Sequence, residues 1–421
     1  MQHELAGRLT DPHAARQEQT MRRGNSCETA RYTMLAVNRL RMGWLLTLVI
    51  WGCQPAQPVS APEGSGSGSA AEAPPAPEPI LAPSQERGGI GRTGVVDWQA
   101  PATLQTIVWK VPLDGPSTTI AFGQRLFAAT AKSLTALDGT TGQTAWTRPV
   151  TRGVASTPVI SDQAVLLTTG DRKLVSLHAG TGETRWETRL KQTADGGLLL
   201  QGDTLFVTSG AGTAWSFDAS NGKKKWSVWI APSVRSAPAL DADLLLIGAG
   251  LKRGGAVFAI KTDTGAEWWS IETEAAVLLS PAVVGQTVVA VDKAGSVYAI
   301  GRSTGQLVWR SQTGAEVLSA FAVDAELVYV ATTGGDLVAL SLADGSERWR
   351  VRAGVSFQGP VVRATNAIVV GGEDGFLRSF DPKAGGEQWR FQAGAPVRDE
   401  VSLIANQLSF SATDGNVFCV R

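Results

Sequence analysis

Residues that commonly carry enzyme chemistry are scarce in this chain. The three cysteines, Cys27, Cys53 and Cys419, lie far apart and form no CxxC motif, so neither a zinc site nor a redox pair of that type is indicated. Three histidines leave little basis for histidine catalysis or a histidine metal site: they are His3, His13 and His178. The sequence therefore predicts a protein that is not an enzyme, with no catalytic, cofactor-binding or metal-binding residues.

The composition favours a turn-rich all-β protein. The 421 residues contain 47 glycines and 14 tryptophans, a balance typical of strands joined by tight turns. Lys+Arg and Asp+Glu are 38 each, so the net charge is zero. This argues against a nucleic-acid partner, because such proteins usually carry a basic excess.

Cys53 has a sequence context that predicts covalent lipid attachment. An apolar run from Met42 to Cys53 follows Arg39 and Arg41 and is too short to span a bilayer, but it has the length of a signal-peptide core. The run ends in Ile-Trp-Gly-Cys, which resembles a bacterial lipobox. We therefore expect lipidation at Cys53 and a location at the periplasmic face of the outer membrane, with the membrane contacted through the lipid alone.

The N-terminal quarter of the chain is predicted to be processed or solvated. A start at Met34 gives a 19-residue signal peptide, which makes 1–33 a probable mis-assigned start and 34–52 the signal. Residues 53–103 are rich in Pro, Gly, Ser and Ala, a composition that cannot bury enough apolar surface to fold. We predict a tether over 53–103 and a folded domain over 104–421.

A repeat of about forty residues determines the predicted fold. A glycine lies four residues before each repeated tryptophan, a large apolar residue nine before, and a small residue ten before. Each unit reads as four short strands joined by turns, which is the pattern of a β-propeller blade. The repeated tryptophans are Trp146, Trp186, Trp226, Trp269, Trp309, Trp349 and Trp389.

The two ends of the chain are predicted to complete an eighth blade. The last unit stops after Cys419, which occupies the small position, and it lacks its outer strand and its tryptophan. Residues 104–111, with Trp109, supply both. The sequence thus predicts an all-β, eight-bladed propeller closed by its N-terminal strand, with Cys419 as a buried structural thiol.

The repeated Leu-x-Ala-Leu-Asp-x-x-Thr-Gly-x-x-x-Trp resembles the PQQ-type β-propeller repeat family over residues 104–421. Quinoprotein dehydrogenases of that family carry an adjacent cysteine pair, calcium ligands and long insertions that build the cofactor site. This chain has no adjacent cysteines, and its period is uniform apart from a three-residue insertion near residues 252–254. A quinoprotein enzyme is therefore the least favoured interpretation.

With its lipobox and tether, the chain also resembles the BamB family of outer-membrane assembly lipoproteins. That resemblance implies a protein partner, the barrel-forming subunit of the assembly machinery. It assigns Val234 and Arg235, which precede Ser-Ala-Pro, to partner binding. Two aspartates expected in the following blade are replaced by Ala276 and Leu278. The alternative is a periplasmic propeller of the same repeat that binds a different partner or ligand.

Overall fold

The repeated strand pattern forms eight four-stranded antiparallel sheets in the computed structural model, which describes Arg87 and residues 89–421. The sheets are arranged as the predicted eight-bladed β-propeller, so the fold class is confirmed. Within these residues there is no helix with the length and apolar character needed to span a membrane. The predictions for residues 1–33, for the signal peptide 34–52 and for Cys53 lie outside the described residues.

Seven blades use consecutive strands, and the eighth combines both chain ends. Blade 1 contains β2 (Ser117–Phe122), β3 (Arg125–Thr130), β4 (Ser133–Asp138) and β5 (Thr144–Pro149). Blade 2 contains β6 (Val159–Ile160), β7 (Ala164–Thr168), β8 (Lys173–His178) and β9 (Thr184–Arg189). Blade 3 contains β10 (Gly197–Gln201), β11 (Thr204–Thr208), β12 (Thr213–Asp218) and β13 (Lys224–Trp229). Blade 4 contains β14 (Ala239–Asp241), β15 (Leu244–Gly250), β16 (Gly255–Lys261) and β17 (Glu267–Thr273).

The second half of the ring repeats this order. Blade 5 contains β18 (Ala282–Val284), β19 (Thr287–Val291), β20 (Ser296–Gly301) and β21 (Leu307–Gln312). Blade 6 contains β22 (Ala322–Val323), β23 (Leu327–Ala331), β24 (Asp336–Ser341) and β25 (Glu347–Arg352). Blade 7 contains β26 (Val362–Ala364), β27 (Ala367–Gly371), β28 (Phe376–Phe380) and β29 (Glu387–Gln392). Blade 8 contains β30 (Ser402–Ile404), β31 (Gln407–Ser411), β32 (Asn416–Val420) and β1 (Ile107–Pro112).

The repeated tryptophan and the repeated small residue face each other across the third and fourth strands of every blade. A bulge lies next to this pair in every blade, and it allows the bulky indole and the small side chain to share one register position. The eight pairs are Ala136–Trp146, Ser176–Trp186, Ser216–Trp226, Ala259–Trp269, Ala299–Trp309, Ala339–Trp349, Ser379–Trp389 and Cys419–Trp109.

Each indole also joins its blade to the next one. Its Nε1–H donates to a backbone carbonyl of the neighbouring blade or of the N-terminal segment at 2.7–3.1 Å. The first seven indoles, from Trp109 to Trp349, lie on the glycine of the neighbouring turn. These glycines have φ between +70° and +74°, and an added Cβ would lie 2.5–3.0 Å from the ring. They are Gly142, Gly182, Gly222, Gly265, Gly305, Gly345 and Gly385.

The ring closes as predicted, through an antiparallel pairing of β1 with β32. Trp109 is opposite Cys419 in this pairing, and its indole donates to Gly139 O of blade 1 at 3.0 Å. On the other side of blade 8, the indole of Trp389 donates to Pro101 O at 2.7 Å. The N-terminal chain therefore supplies both a strand and an acceptor at the closing junction.

The first strands of the blades surround the propeller axis. β2 contacts β30, β6 contacts β10, β14 contacts β18, and β22 contacts β26. A stretch that we call the channel segment, Arg87 and residues 89–100, lies along four of these first strands in succession. Its carbonyls at Ile90, Gly91, Thr93 and Gly94 accept 2.8–3.0 Å hydrogen bonds from the amides of Leu240, Val283, Val323 and Arg363.

Two arginines of the channel segment are almost completely buried, each about 1% exposed. Arg92 Nε donates to Pro238 O at 3.1 Å, and its guanidinium also contacts Leu198 O. Arg87 donates to Ser280 O at 2.6 Å and to Phe321 O. These carbonyls belong to β10 or to the segments before β14, β18 and β22, so the two side chains cross-link four blades at the axis.

This placement differs from the tether that composition predicts for 53–103. Its described part, Arg87 and residues 89–103, packs against the propeller. Gly94 shows why glycine is needed there, because its φ is +67° and an added Cβ would lie 3.1 Å from Ala322 Cβ. A glycine-rich stretch resembles a linker by composition, whereas here it allows the backbone to approach the first strands closely.

Gly385 and Gly386 offer a matched test of the tryptophan–glycine contact. Gly385 has φ +74°, and its added Cβ would lie 2.8 Å from the Trp349 ring, whereas a Cβ at Gly386 meets nothing within 4 Å. We expect Gly385→Ala to lower the free energy of unfolding by about 2–4 kcal/mol, from backbone strain and overpacking. Gly386→Ala should change it by less than about 0.5 kcal/mol. Urea denaturation of both variants measures the difference, and equal midpoints would contradict the contact's role.

Deletion variants test the channel segment. Removing residues 87–103 while retaining β1 leaves four first-strand amides without their acceptors and removes both buried arginines. We expect a loss of about 3 kcal/mol or more, because each lost buried hydrogen bond costs about 1–3 kcal/mol. The control deletes residues 54–86, whose composition predicts no packed core. Thermal unfolding compares the two, and an unchanged melting temperature for the 87–103 deletion would refute the prediction.

Candidate partner-binding face

Two sets of loops define the two faces of the propeller. One face, here called the entry face, carries the segments that precede the first strands and the turns between the second and third strands. Bridges between these two sets place them together, as between Ser233 and Gly250 and between Phe357 and Gly372. The opposite face carries the remaining turns.

The predicted partner residues lie on the entry face, but only one of them is exposed. Arg235 points to solvent, whereas Val234 is 0% exposed and packs in the cluster that contains Leu199 and Leu240. The assignment of Val234 as a contact residue is therefore corrected, because alternate side chains of this segment point into the blade. Val234 instead fixes the position of its neighbour.

A hydrogen-bonded serine holds the Arg235 loop in place. Ser236 Oγ donates to Gly248 O and accepts from Gly248 N, both at 2.9 Å. Thr208 of the preceding blade donates its hydroxyl to Ser236 O at 2.9 Å. Arg235 is thus an exposed cation on a rigid support, which lowers the conformational cost of binding.

An exposed tryptophan that the sequence analysis did not single out lies near the Arg235 loop. Trp229 ends β13, the strand leading into this loop, and is 63% exposed. It lies outside the forty-residue tryptophan pattern, and this departure was the available signal. Tryptophan and arginine are both residue types that are enriched in interface hot spots.

The two positions where the family resemblance implies aspartates carry uncharged side chains. Ala276 and Leu278 are both partly exposed there, and Leu318 in the next loop is 42% exposed. These side chains can offer apolar contact, whereas the carboxylates of the same loops, Glu274 and Glu316, are paired with Arg310 and Lys293. The surface next to the Arg235 loop therefore differs in chemistry from the one that the family resemblance implies.

Asp399 is a buried acid at the junction of blades 8 and 1. Its carboxylate accepts hydrogen bonds from the Thr119 amide at 3.0 Å, from the Thr119 hydroxyl, and from the Ser411 amide at 3.2 Å. Burial raises its pKa from 3.8 to about 6, although these hydrogen bonds act in the opposite direction. Burial therefore favours the protonated carboxyl more in the folded protein than in the unfolded chain.

Cys419 is a structural thiol, as expected. It is 0% exposed, and burial raises its pKa to about 11. Its Sγ lies 2.9 Å from Gln407 Oε1. A thiol that is both buried and protonated at neutral pH is a poor nucleophile.

The family follows from comparison with known proteins. The family model described as outer membrane protein assembly factor BamB matches residues 130–250, 227–320 and 293–421. The chain belongs to this family. No curated protein matches it closely enough to count as a relative.

Solved structures similar to this chain share its fold. BamB from Moraxella catarrhalis has a TM-score of 0.65 at 22% identity, over 76% of this chain and 99% of that one. Quinohemoprotein alcohol dehydrogenase from Comamonas testosteroni has a TM-score of 0.67 at 13% identity, over 79% of each chain. A europium-containing methanol dehydrogenase has a TM-score of 0.65 at 15% identity, over 79% of this chain and 88% of that one. The same propeller thus occurs in proteins with and without catalysis.

The described residues do not fit a quinone and its metal ion at the axis. The side chains of Arg87 and Arg92 occupy the space between the first strands, and both bind backbone carbonyls there. In the described part of the chain, no group of three or more His, Cys, Asp or Glu residues is placed to hold a metal ion. We therefore derive no quinone chemistry for this chain.

Asp399 makes stability depend on pH in a predictable direction. A raised pKa means that the carboxyl stabilises the fold fully below about pH 4 and that this contribution is lost as the pH rises through about 6. The shift corresponds to about 3 kcal/mol. Asp399→Asn cannot lose a proton, so its free energy of unfolding should rise relative to wild type between pH 4 and pH 7.

The matched control is Asp243→Asn, which removes an exposed charge in a turn of blade 4. Urea denaturation across this pH range gives both difference curves. A flat difference curve for Asp399→Asn would contradict the assigned protonation.

Proposed function

We propose that this protein is a non-catalytic periplasmic lipoprotein whose propeller binds a protein partner during assembly of outer-membrane β-barrel proteins. The observation that carries the proposal is the occupied axis. Because Arg87 and Arg92 fill it, the surface left for recognition is the loop-bearing face with Arg235 and Trp229. Membership of the BamB family supports the proposed assembly role.

Anchoring at the membrane is part of the same proposal. The Ile-Trp-Gly-Cys sequence supports a lipid on Cys53, at the periplasmic face of the outer membrane. Among the described residues, the channel segment begins with Arg87, whose side chain binds carbonyls that precede β18 and β22.

A second candidate is the same scaffold with a different periplasmic partner or ligand. The observation that favours it is the pair of uncharged residues, Ala276 and Leu278, at the positions where the family resemblance implies two aspartates. An interface that depends on those carboxylates cannot form here. The partner, rather than the scaffold role, separates the two candidates.

Charge reversal at Arg235 tests the proposed interface. Arg235→Glu should weaken binding to the periplasmic domains of the barrel-forming subunit by about 2 kcal/mol or more, because a hot-spot arginine contributes that much. The melting temperature should not change, since Arg235 is exposed and makes no side-chain hydrogen bond in the described structure. Lys224→Glu, on the opposite face, is the control and should bind as wild type does.

Titration of the purified protein against those domains provides the measurement. Absence of binding by the wild type would remove the assembly role and leave the second candidate. Binding that is insensitive to Arg235→Glu would keep the scaffold role but place the interface elsewhere.

A further inference from the structure

Charge is distributed unevenly over the entry face. In blades 1–4 its loops carry seven cations against Asp114, Asp171 and Asp195. In blades 5–8 its loops carry six at least partly exposed acids against Lys293 and Arg398. We call the seven cations the basic arc: Lys132, Arg152, Arg172, Lys191, Arg235, Lys252 and Arg253.

The two halves also differ in how their charges are satisfied. In blades 5–8, Glu274 pairs with Arg310, Glu316 with Lys293 at 3.1 Å, and Glu373 with Arg398 at 2.6 Å. All seven cations of the basic arc are exposed, and none has a side-chain partner in the described part of the protein. The arc therefore holds positive charge that is available to a ligand.

The one insertion in the repeat extends the basic arc. The spacing from Trp226 to Trp269 is 43 residues instead of 40, and the extra residues lengthen the β15–β16 hairpin, in which each strand has seven residues. Lys252 and Arg253 lie at the tip of this hairpin. A 2.8 Å hydrogen bond from Gly250 N to Ser233 O joins its base to the Arg235 loop. The departure from the repeat thus adds two cations beside an existing one.

Arg172 is a charged residue in a strained backbone conformation, at a turn position where most other blades have glycine. It has φ +67°, in the left-handed region that non-glycine residues rarely adopt. Five other blades have glycine at this turn position, with φ between +79° and +92°. These glycines are Gly212, Gly295, Gly335, Gly375 and Gly415. Strain retained at an exposed residue is typical of functional sites.

We propose that the basic arc docks an acidic surface of the protein partner, with Trp229 as its apolar anchor. This inference rests on the proposed scaffold role and adds the chemistry of the partner. A protein fits better than an anionic membrane because the acidic half of the same face would be repelled by a flat anionic surface. A protein can instead place carboxylates over blades 1–4 alone. Such complementarity mainly raises the association rate and the specificity.

The test uses two probes with the purified protein: a labelled poly-glutamate peptide and vesicles containing phosphatidylglycerol. The double variant Lys252→Glu/Arg253→Glu is compared with Lys223→Glu/Lys224→Glu, an adjacent cation pair at the start of β13 on the opposite face. We expect the wild type and the control to bind the peptide, and the arc variant to bind at least about tenfold more weakly. Raising the salt from about 50 to about 200 mM should weaken peptide binding by the wild type and by the control more than binding by the arc variant.

The outcomes separate this inference from the proposed function. Arc-dependent peptide binding supports the arc even if the barrel-assembly domains fail to bind, a result that would refute only the assembly role. Equal peptide binding by both double variants, or none by the wild type, would overturn the arc. Arc-dependent binding to vesicles would overturn the choice of a protein partner.

Arg172→Gly gives an independent readout. Glycine relieves the left-handed strain, so the melting temperature should rise while affinity for the peptide falls. A purely structural residue would not show these opposite changes. A rise in melting temperature with unchanged affinity would overturn the role assigned to Arg172.

Discussion

The contact between each repeated tryptophan and the next blade is the interaction on which the ring depends. In most blades one indole packs on a turn glycine, donates to a nearby carbonyl and faces a small residue within its own sheet. A Cβ on that glycine would overlap the ring, and the turn also needs a positive φ. Tryptophan, glycine and the small residue are therefore constrained together, which explains why their spacing survives while other positions vary.

Closing a ring of such contacts leaves an axis that must be filled or hydrated. Here the chain fills it with its own N-terminal segment, whose carbonyls satisfy four first-strand amides. The segment also brings two arginines to backbone carbonyls that face the axis. With the axis occupied, the surface that we propose for recognition is the entry face, where short loops and turns carry exposed charge. Fold and proposed function are connected through this step.

The features that repeat from blade to blade could be predicted from the sequence alone. Seven aligned units fixed the strand order, and the position of Cys419 identified Trp109 as the missing part of blade 8. Features that occur once were not predictable in this way. The channel segment has the composition of a linker, and Val234 came from a family resemblance that does not reveal which side chains point inward. The burial of Asp399 depends on contacts between distant blades.

Hydrogen exchange of the intact protein tests the central claim most directly, namely that the chain occupies its own axis. The amides of Val283, Val323 and Arg363 donate to the channel segment. We predict that these three amides are protected to the same degree as those of the neighbouring second strands. Exchange at the rate of exposed turn amides would show that the segment does not occupy the axis, and would contradict the account.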